Sequence, residues 1–169
     1  MLSYIYEKEK GMKNMTEILG LEKLNATLNA FAEKFDCTVA PDTDFFCYLG
    51  QNKVTYALVV AEKNTNAFMR RVRHLYPDVK ADVFLWSFLH EIGHIETCDD
   101  LDDDEWKNVI AIKERELTHE EYFELPDEYA ATEWAANYMR QHEKEIAQFW
   151  CSVQQNIMDI YLQNGLVLE

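Results

Sequence analysis

Two histidines four residues apart, His90 and His94, flank a carboxylate in His90-Glu91-Ile92-Gly93-His94. A helix with 3.6 residues per turn puts both imidazoles on one face, where they can converge on one zinc ion. Glu91 then lies beside them, able to reach a metal-bound water without being a ligand. This is the spacing used for zinc-dependent peptide hydrolysis. On a wheel of 100° per residue, Ser87, His90, Glu91, His94, Thr97 and Cys98 share a sector of about 120°. Phe84, Leu85, Trp86, Phe88, Leu89, Ile92 and Ile95 lie outside it, with Val83 the one apolar residue within. A helix apolar on most sides and polar along one stripe is a buried helix with a job for the stripe. Cys98 shares that stripe, but it lies about 6 Å along the axis from His94 and about 12 Å from His90. One tetrahedral ion does not readily take all three, and a buried thiol is the better reading.

A catalytic zinc needs a third protein ligand and an open position. The segment Asp127-Glu128-Tyr129-Ala130-Ala131-Thr132-Glu133-Trp134-Ala135-Ala136-Asn137 offers Glu128 and Glu133. They point about 140° apart on a helix. Glu133 shares its face with Ala130, Ala136 and Asn137; small residues let helices approach, and Asn137 could hydrogen-bond a histidine from behind. Glu133 is therefore the expected third ligand, with Glu128 as the alternative.

The elements that must position these groups follow from periodicity and punctuation. Residues 1–14 read as a flexible lead-in, and 15–169 as a single domain. Ile18, Leu19, Leu21, Leu24, Leu28, Phe31 and Phe35 predict a helix from a Thr16 cap to about Asp36. Cys37 to Ala40, Phe45 to Leu49 and Val54 to Ala61 predict strands, the last two as a hairpin around Gly50-Gln51-Asn52. Asn64 to Asn66 reads as a turn, and Phe68 to Tyr76 as a loop or short helix. Helices are expected over Asp82–Thr97, Glu105–Leu117, a short segment capped by Thr118 and Glu121, Pro126–Gln141 and Glu143–Gln163. The fold class is α+β: an N-terminal helix and a small antiparallel or mixed sheet, then a helical, zincin-like metal-binding core.

Composition narrows the partners. The chain has 169 residues, 48% of them hydrophobic and 13% aromatic, enough for one cored domain. A net charge of −15 argues against direct nucleic-acid binding or an anionic membrane. The start, Met1-Leu2-Ser3-Tyr4-Ile5-Tyr6, turns charged at once, so neither a signal peptide nor a membrane span is expected, and the expected compartment is the cytoplasm. Cys37, Cys47, Cys98 and Cys151 form no CxxC pair and read as reduced core thiols. Asp99 to Asp104 lacks the glycine and spaced glutamate of a calcium loop and reads as solvated.

The motif with Glu133-x-x-Ala136-Asn137 some forty residues on resembles the ImmA/IrrE metallopeptidases, over roughly residues 16–142. The resemblance implies a gluzincin-like enzyme with one catalytic Zn2+ held by His90, His94 and Glu133, and Glu91 as catalytic base. It also implies a specific protein substrate, typically a helix-turn-helix transcriptional repressor. Tyr138-Met139, Arg140-Gln141-His142 and Leu85-Trp86-Ser87-Phe88 depart from the family's usual flanks. Tyr129, Tyr138, His119 and His142 are candidate donors to a tetrahedral oxyanion. The rival expectation is a metal-binding regulatory interaction module with weak or no peptidase activity.

Overall fold

The structure, a computed structural model, describes residues 18–58 and 62–165, the side chains of 62–65 excepted. The expected lead-in over 1–14 and the Thr16 cap lie outside the described residues. The first helix, α1 (Leu21–Ala32), follows Gly20, whose φ of 86° is left-handed and suits a residue without Cβ. A short 3-10 turn carries α1 to Phe35, and Asp36 ends it in the left-handed region.

Three strands follow: β1 (Thr38–Pro41), β2 (Phe46–Tyr48) and β3 (Lys53–Tyr56). The sheet order is β1-β3-β2, with β1 parallel and β2 antiparallel to the central strand, so the sheet is mixed. Val54 sits between Val39 and Cys47 in the register. The predicted hairpin forms, but its second strand stops at Tyr56 instead of continuing towards Ala61. The expected turn at Asn64–Asn66 is instead part of α2 (Glu62–Leu75). The polar Asn64-Thr65-Asn66 run invites a turn, yet Phe68, Met69 and Val72 recur on one face and are buried, so tertiary packing overrides local propensity.

The remaining helices are α3 (Val83–Thr97), α4 (Asp103–Lys113), α5 (His119–Phe123), α6 (Pro126–Gln141) and α7 (Glu143–Gln163). Asp82 caps α3 by accepting a hydrogen bond from Leu85 N at 3.0 Å. Capping boxes start α4 (Asp102, Glu105) and α5 (Thr118, Glu121), and Pro126 opens α6. Asn164 closes α7: its amide donates to Ile160 O and Leu19 O, and its Oδ1 accepts from Leu19 N. The two ends of the described chain are thereby clasped.

The core gathers around α3. Phe88 meets Phe31, Phe84 and Phe149 at ring-centroid distances of 6.2, 6.5 and 5.9 Å. On another side Trp86 packs on Phe68 and Tyr76 from α2 and its end. The remaining side of α3 faces α6. In this α+β arrangement, a small sheet followed by helices, α3 is largely enclosed: His90 and Thr97 of its polar stripe are buried, and Ser87, Glu91 and His94 are only partly covered. Among the described residues no helix is long and apolar enough to cross a membrane.

Candidate metal centre

A glycine sets the distance between the two helices that make the site. A Cβ at Gly93 would lie 2.5 Å from Ala131 O and 3.0 Å from its Cα, a backbone that cannot swing aside. Only hydrogen at this position lets α3 lie directly on α6. On α6, Glu128, Ala131, Thr132, Ala135 and Met139 are buried along one face, at offsets of three and four residues. The alanines admit α3, and the two polar members meet its histidines.

His90 Nε2 lies 3.0 Å from Glu128 Oε2, and His94 Nε2 lies 3.4 Å from the same oxygen. One ligand atom from each of these three residues falls within 4.8 Å of the other two. Behind the ring, His90 Nδ1 is 3.0 Å from Thr132 Oγ1, whose single proton is donated to Glu128 O at 2.7 Å. That hydroxyl can therefore only accept from His90, which fixes a proton on Nδ1. In the neutral ring Nε2 then carries a lone pair, aimed at a carboxylate oxygen. Two acceptors at that separation repel unless a second ring proton or a cation lies between them. Donors in a tetrahedral zinc site with bonds of 2.0–2.1 Å stand about 3.4 Å apart. Two imidazoles and one carboxylate gathered in this way could hold a metal ion, and their donor chemistry suits zinc.

Glu128 is also held from its other oxygen. Lys113, in the last turn of α4, donates to Glu128 Oε1 at 2.7 Å and to Asp127 Oδ2 at 2.5 Å. The Glu128 and Asp127 side chains are 2% and 4% exposed, and Lys113 is 29% exposed. Burial opposes ionisation of Glu128, but hydrogen bonds and charge from His90 and His94 outweigh it, so its pKa falls below the usual carboxylate range. For His94 burial pulls the pKa down, while the Glu128 carboxylate more than offsets it and leaves the pKa raised. Lys113 is likewise raised, with burial outweighed by the two carboxylates. The His94 side chain is 11% exposed, so the group is less enclosed on that side than at Glu128.

Glu91 follows His90 and is partly buried. Burial pushes its pKa up, His90 and His94 pull against this, and Glu128 and Asp44 add to it. No described residue hydrogen-bonds its carboxylate. Across from it lies the β2 side of the molecule, where the Cys47 thiol is pushed up to about 12, first by burial and then by the Glu91 charge.

The structure thus brings together His90, His94 and Glu91 from the motif, but not Glu133. That side chain is exposed on α6, and Asn137, its expected companion, is exposed too. The correction is Glu128 in place of Glu133 as the carboxylate that meets the histidines, with Thr132 in place of Asn137 behind His90. A Glu-x-x-Ala spacing occurs twice, at Glu128/Ala131 and Glu133/Ala136; both alanines are buried, but of the two glutamates only Glu128 is. The signal was the apolar continuation: Ala135 and Met139 extend the Glu128 stripe by whole helical turns.

Cys98 stays outside the group, in a 3-10 turn beyond α3. All four cysteines are free, but Cys151 is exposed and does not belong to the core. Of the expected oxyanion donors, Tyr138 gives its hydroxyl to Glu145 at 3.3 Å and stacks on His142, while Tyr129 is exposed. His119 lines a separate hollow with Arg70, Arg71 and His74. The phenol near the metal group is one the sequence did not single out, Tyr122. Lys113 Nζ stands 5.0 Å from its ring centre, and its pKa is raised by burial, then by the Glu128 carboxylate and more weakly by Glu91.

The chain matches no family model, no curated protein and no solved structure. Its chemistry is therefore read from the atoms of the site.

Proposed function

We propose that the protein is a zinc-dependent metallopeptidase, with His90, His94 and Glu128 holding one catalytic ion and Glu91 as general base. The observation that carries this reading is the convergence of three donor atoms within 4.8 Å beside a carboxylate that no described residue engages. A bound zinc supplies Lewis acidity and lowers the pKa of water to about 7. Glu91 accepts the proton of the attacking water and returns it to the leaving amine nitrogen. Its raised pKa brings it closer to neutrality, where proton transfer in both directions is efficient. Tyr122, whose hydroxyl is directed to the Glu128 carboxylate, helps hold that ligand from outside the donor set. Thr132 keeps His90 in the tautomer whose Nε2 is free to bind metal.

A peptide substrate is supported by the sheet. β2 is paired to β3 on one side only among the described strands, and it packs against α3. An extended chain can add to such an edge by main-chain hydrogen bonds. The resemblance to ImmA/IrrE metallopeptidases supplies the substrate class, a helix-turn-helix repressor; the acidic chain suits a partner that carries the basic, DNA-binding role itself.

The test is incubation of the zinc-loaded protein with a helix-turn-helix repressor from its own source. Wild type should cleave it, while Glu91→Gln should bind zinc equally and cleave nothing. A zinc-replete wild type that leaves the repressor intact, with a Glu91→Gln variant indistinguishable from it in the cell, would replace the peptidase with a metal-binding interaction module.

A further inference from the structure

We propose that Lys113 is a built-in counter-cation for the metal-ligating carboxylate: it keeps the ligand group assembled without an ion and weakens the binding of the ion. The inference rests on the reading of His90, His94 and Glu128 as a zinc site, and concerns a residue outside the ligand set.

Asp127 and Glu128 are adjacent, both almost wholly buried, and both reached by the Lys113 ammonium. Buried carboxylates persist as charges only with a counter-charge or hydrogen-bond donors. Asp127 Oδ1 has no hydrogen-bond partner among the described residues, so Asp127 relies heavily on this one cation. The lysine takes Glu128 Oε1, while Oε2 faces the histidines. Two consequences follow. Without metal, Glu128 still has a permanent positive partner, so the helices α4 and α6 and the stripe of α3 remain together. With metal, two cations share one carboxylate from its two oxygens, and their mutual repulsion in a poorly hydrated setting opposes metal binding. The lysine also leaves only Oε2 for the ion, which favours one bond from the carboxylate over two.

A lysine that merely oriented Glu128 would have the opposite effect on affinity, because losing an orienting partner typically weakens metal binding about 10–100-fold. The sign of the change therefore separates the two roles. By linkage, whatever destabilises the metal-free protein more than the loaded one must tighten the metal.

The experiment uses the full chain and zinc itself, with affinity from chelator competition and melting with and without EDTA. Lys113→Met is expected to bind zinc about tenfold or more tighter than wild type. Its melting temperature should drop on EDTA treatment by clearly more than the wild type's, and Lys113→Arg should restore both properties. In Co2+-substituted protein, Lys113→Met should shift the visible spectrum towards five-coordination as Glu128 becomes free to bind through both oxygens. Where Lys113→Met does not fold alone, the same measurements on Lys113→Met/Asp127→Asn, which removes the second buried charge, carry the test. Zinc affinity unchanged or weakened in Lys113→Met and in its double variant, with Glu128→Gln abolishing binding, overturns the inference and leaves the zinc site standing. A wild type that takes up no zinc, or a Glu128→Gln variant that binds it as well as wild type, overturns the site and the inference with it.

Discussion

On one side of α3, Phe88 lies among Phe31, Phe84 and Phe149, with ring centroids 5.9–6.5 Å away. On the other, Gly93 admits the α6 backbone, and His90, His94, Thr132, Glu128 and Lys113 meet through a few directed contacts. The aromatic side spreads its attraction over many contacts that are weak singly and indifferent to direction. The polar side has few contacts, and nearly every one of its atoms has a specific partner. A core of the first kind tolerates changes of shape that conserve volume. A cluster of the second kind tolerates neither a lost charge nor an added methyl group.

The largest effect is expected where the aromatic side is emptied. Phe88→Ala should lower unfolding stability in urea by about 3–5 kcal/mol, whereas Leu89→Met, which conserves volume, should cost less than about 1.5 kcal/mol. Similar losses for the two would mean that the apolar side is as exacting as the polar one. On the polar side the isosteric Glu128→Gln should reduce zinc affinity on the order of a hundredfold or more, with Glu133→Gln unchanged by chelator competition. Equal losses in both would remove the distinction between the two faces of α6. Gly93→Ala adds one methyl group against Ala131, and should cost about 1–3 kcal/mol together with part of the zinc uptake. Full stability and full uptake in this variant would show that the helices can separate without harm.

The smallest effect is expected at an exposed ion pair, which serves as the control. Arg140 donates to both oxygens of Asp78 at 2.7 Å. The hydrogen bonds from Arg140 hold the Asp78 carboxyl down to about 2 from its ordinary 3.8. A depressed acid stabilises the fold above its unfolded pKa and loses that contribution as pH falls through the folded one. Arg140→Gln should therefore differ from wild type slightly above pH 3.8 and merge with it near pH 2 in acid titrations followed by circular dichroism. A gap that persists or widens at pH 2 would mean that the arginine acts through something other than this carboxylate.

How legible all this was in the sequence depended on what kind of contact was involved. The helices α3, α6 and α7 and the capping box of α5 follow from local signals: Asp82, Pro126, Thr118 with Glu121, and apolar spacing; the second box, Asp102 with Glu105, lay hidden in a run of acidic residues that reads as a solvated loop. The mixed sheet was visible as three short runs with a turn. The first half of α2 was hidden, because Asn64-Thr65-Asn66 speaks against a helix and only the burial of Phe68, Met69 and Val72 by the rest of the molecule decides for it. His90, Glu91 and His94 were readable because their spacing alone puts them together. The carboxylate was not, since Glu128 and Glu133 both precede small residues, and the choice depends on which face of α6 meets α3. Lys113 and Tyr122 come from α4 and α5, and no periodicity within one helix announces a neighbour supplied by another.

The close seat of Gly93 on Ala131 also works as a gauge. With no side chain between the two backbones, the gap between the α3 histidines and the α6 carboxylate is set by main-chain contact, which has almost no compliance. An ion that bonds at 2.0–2.1 Å matches that gap, whereas calcium, with bonds of 2.3–2.6 Å and an appetite for six to eight oxygens, would have to pry the helices apart. In the proposed zinc site, discrimination among ions would thereby rest on the absence of a single methyl group, at a residue outside the donor set.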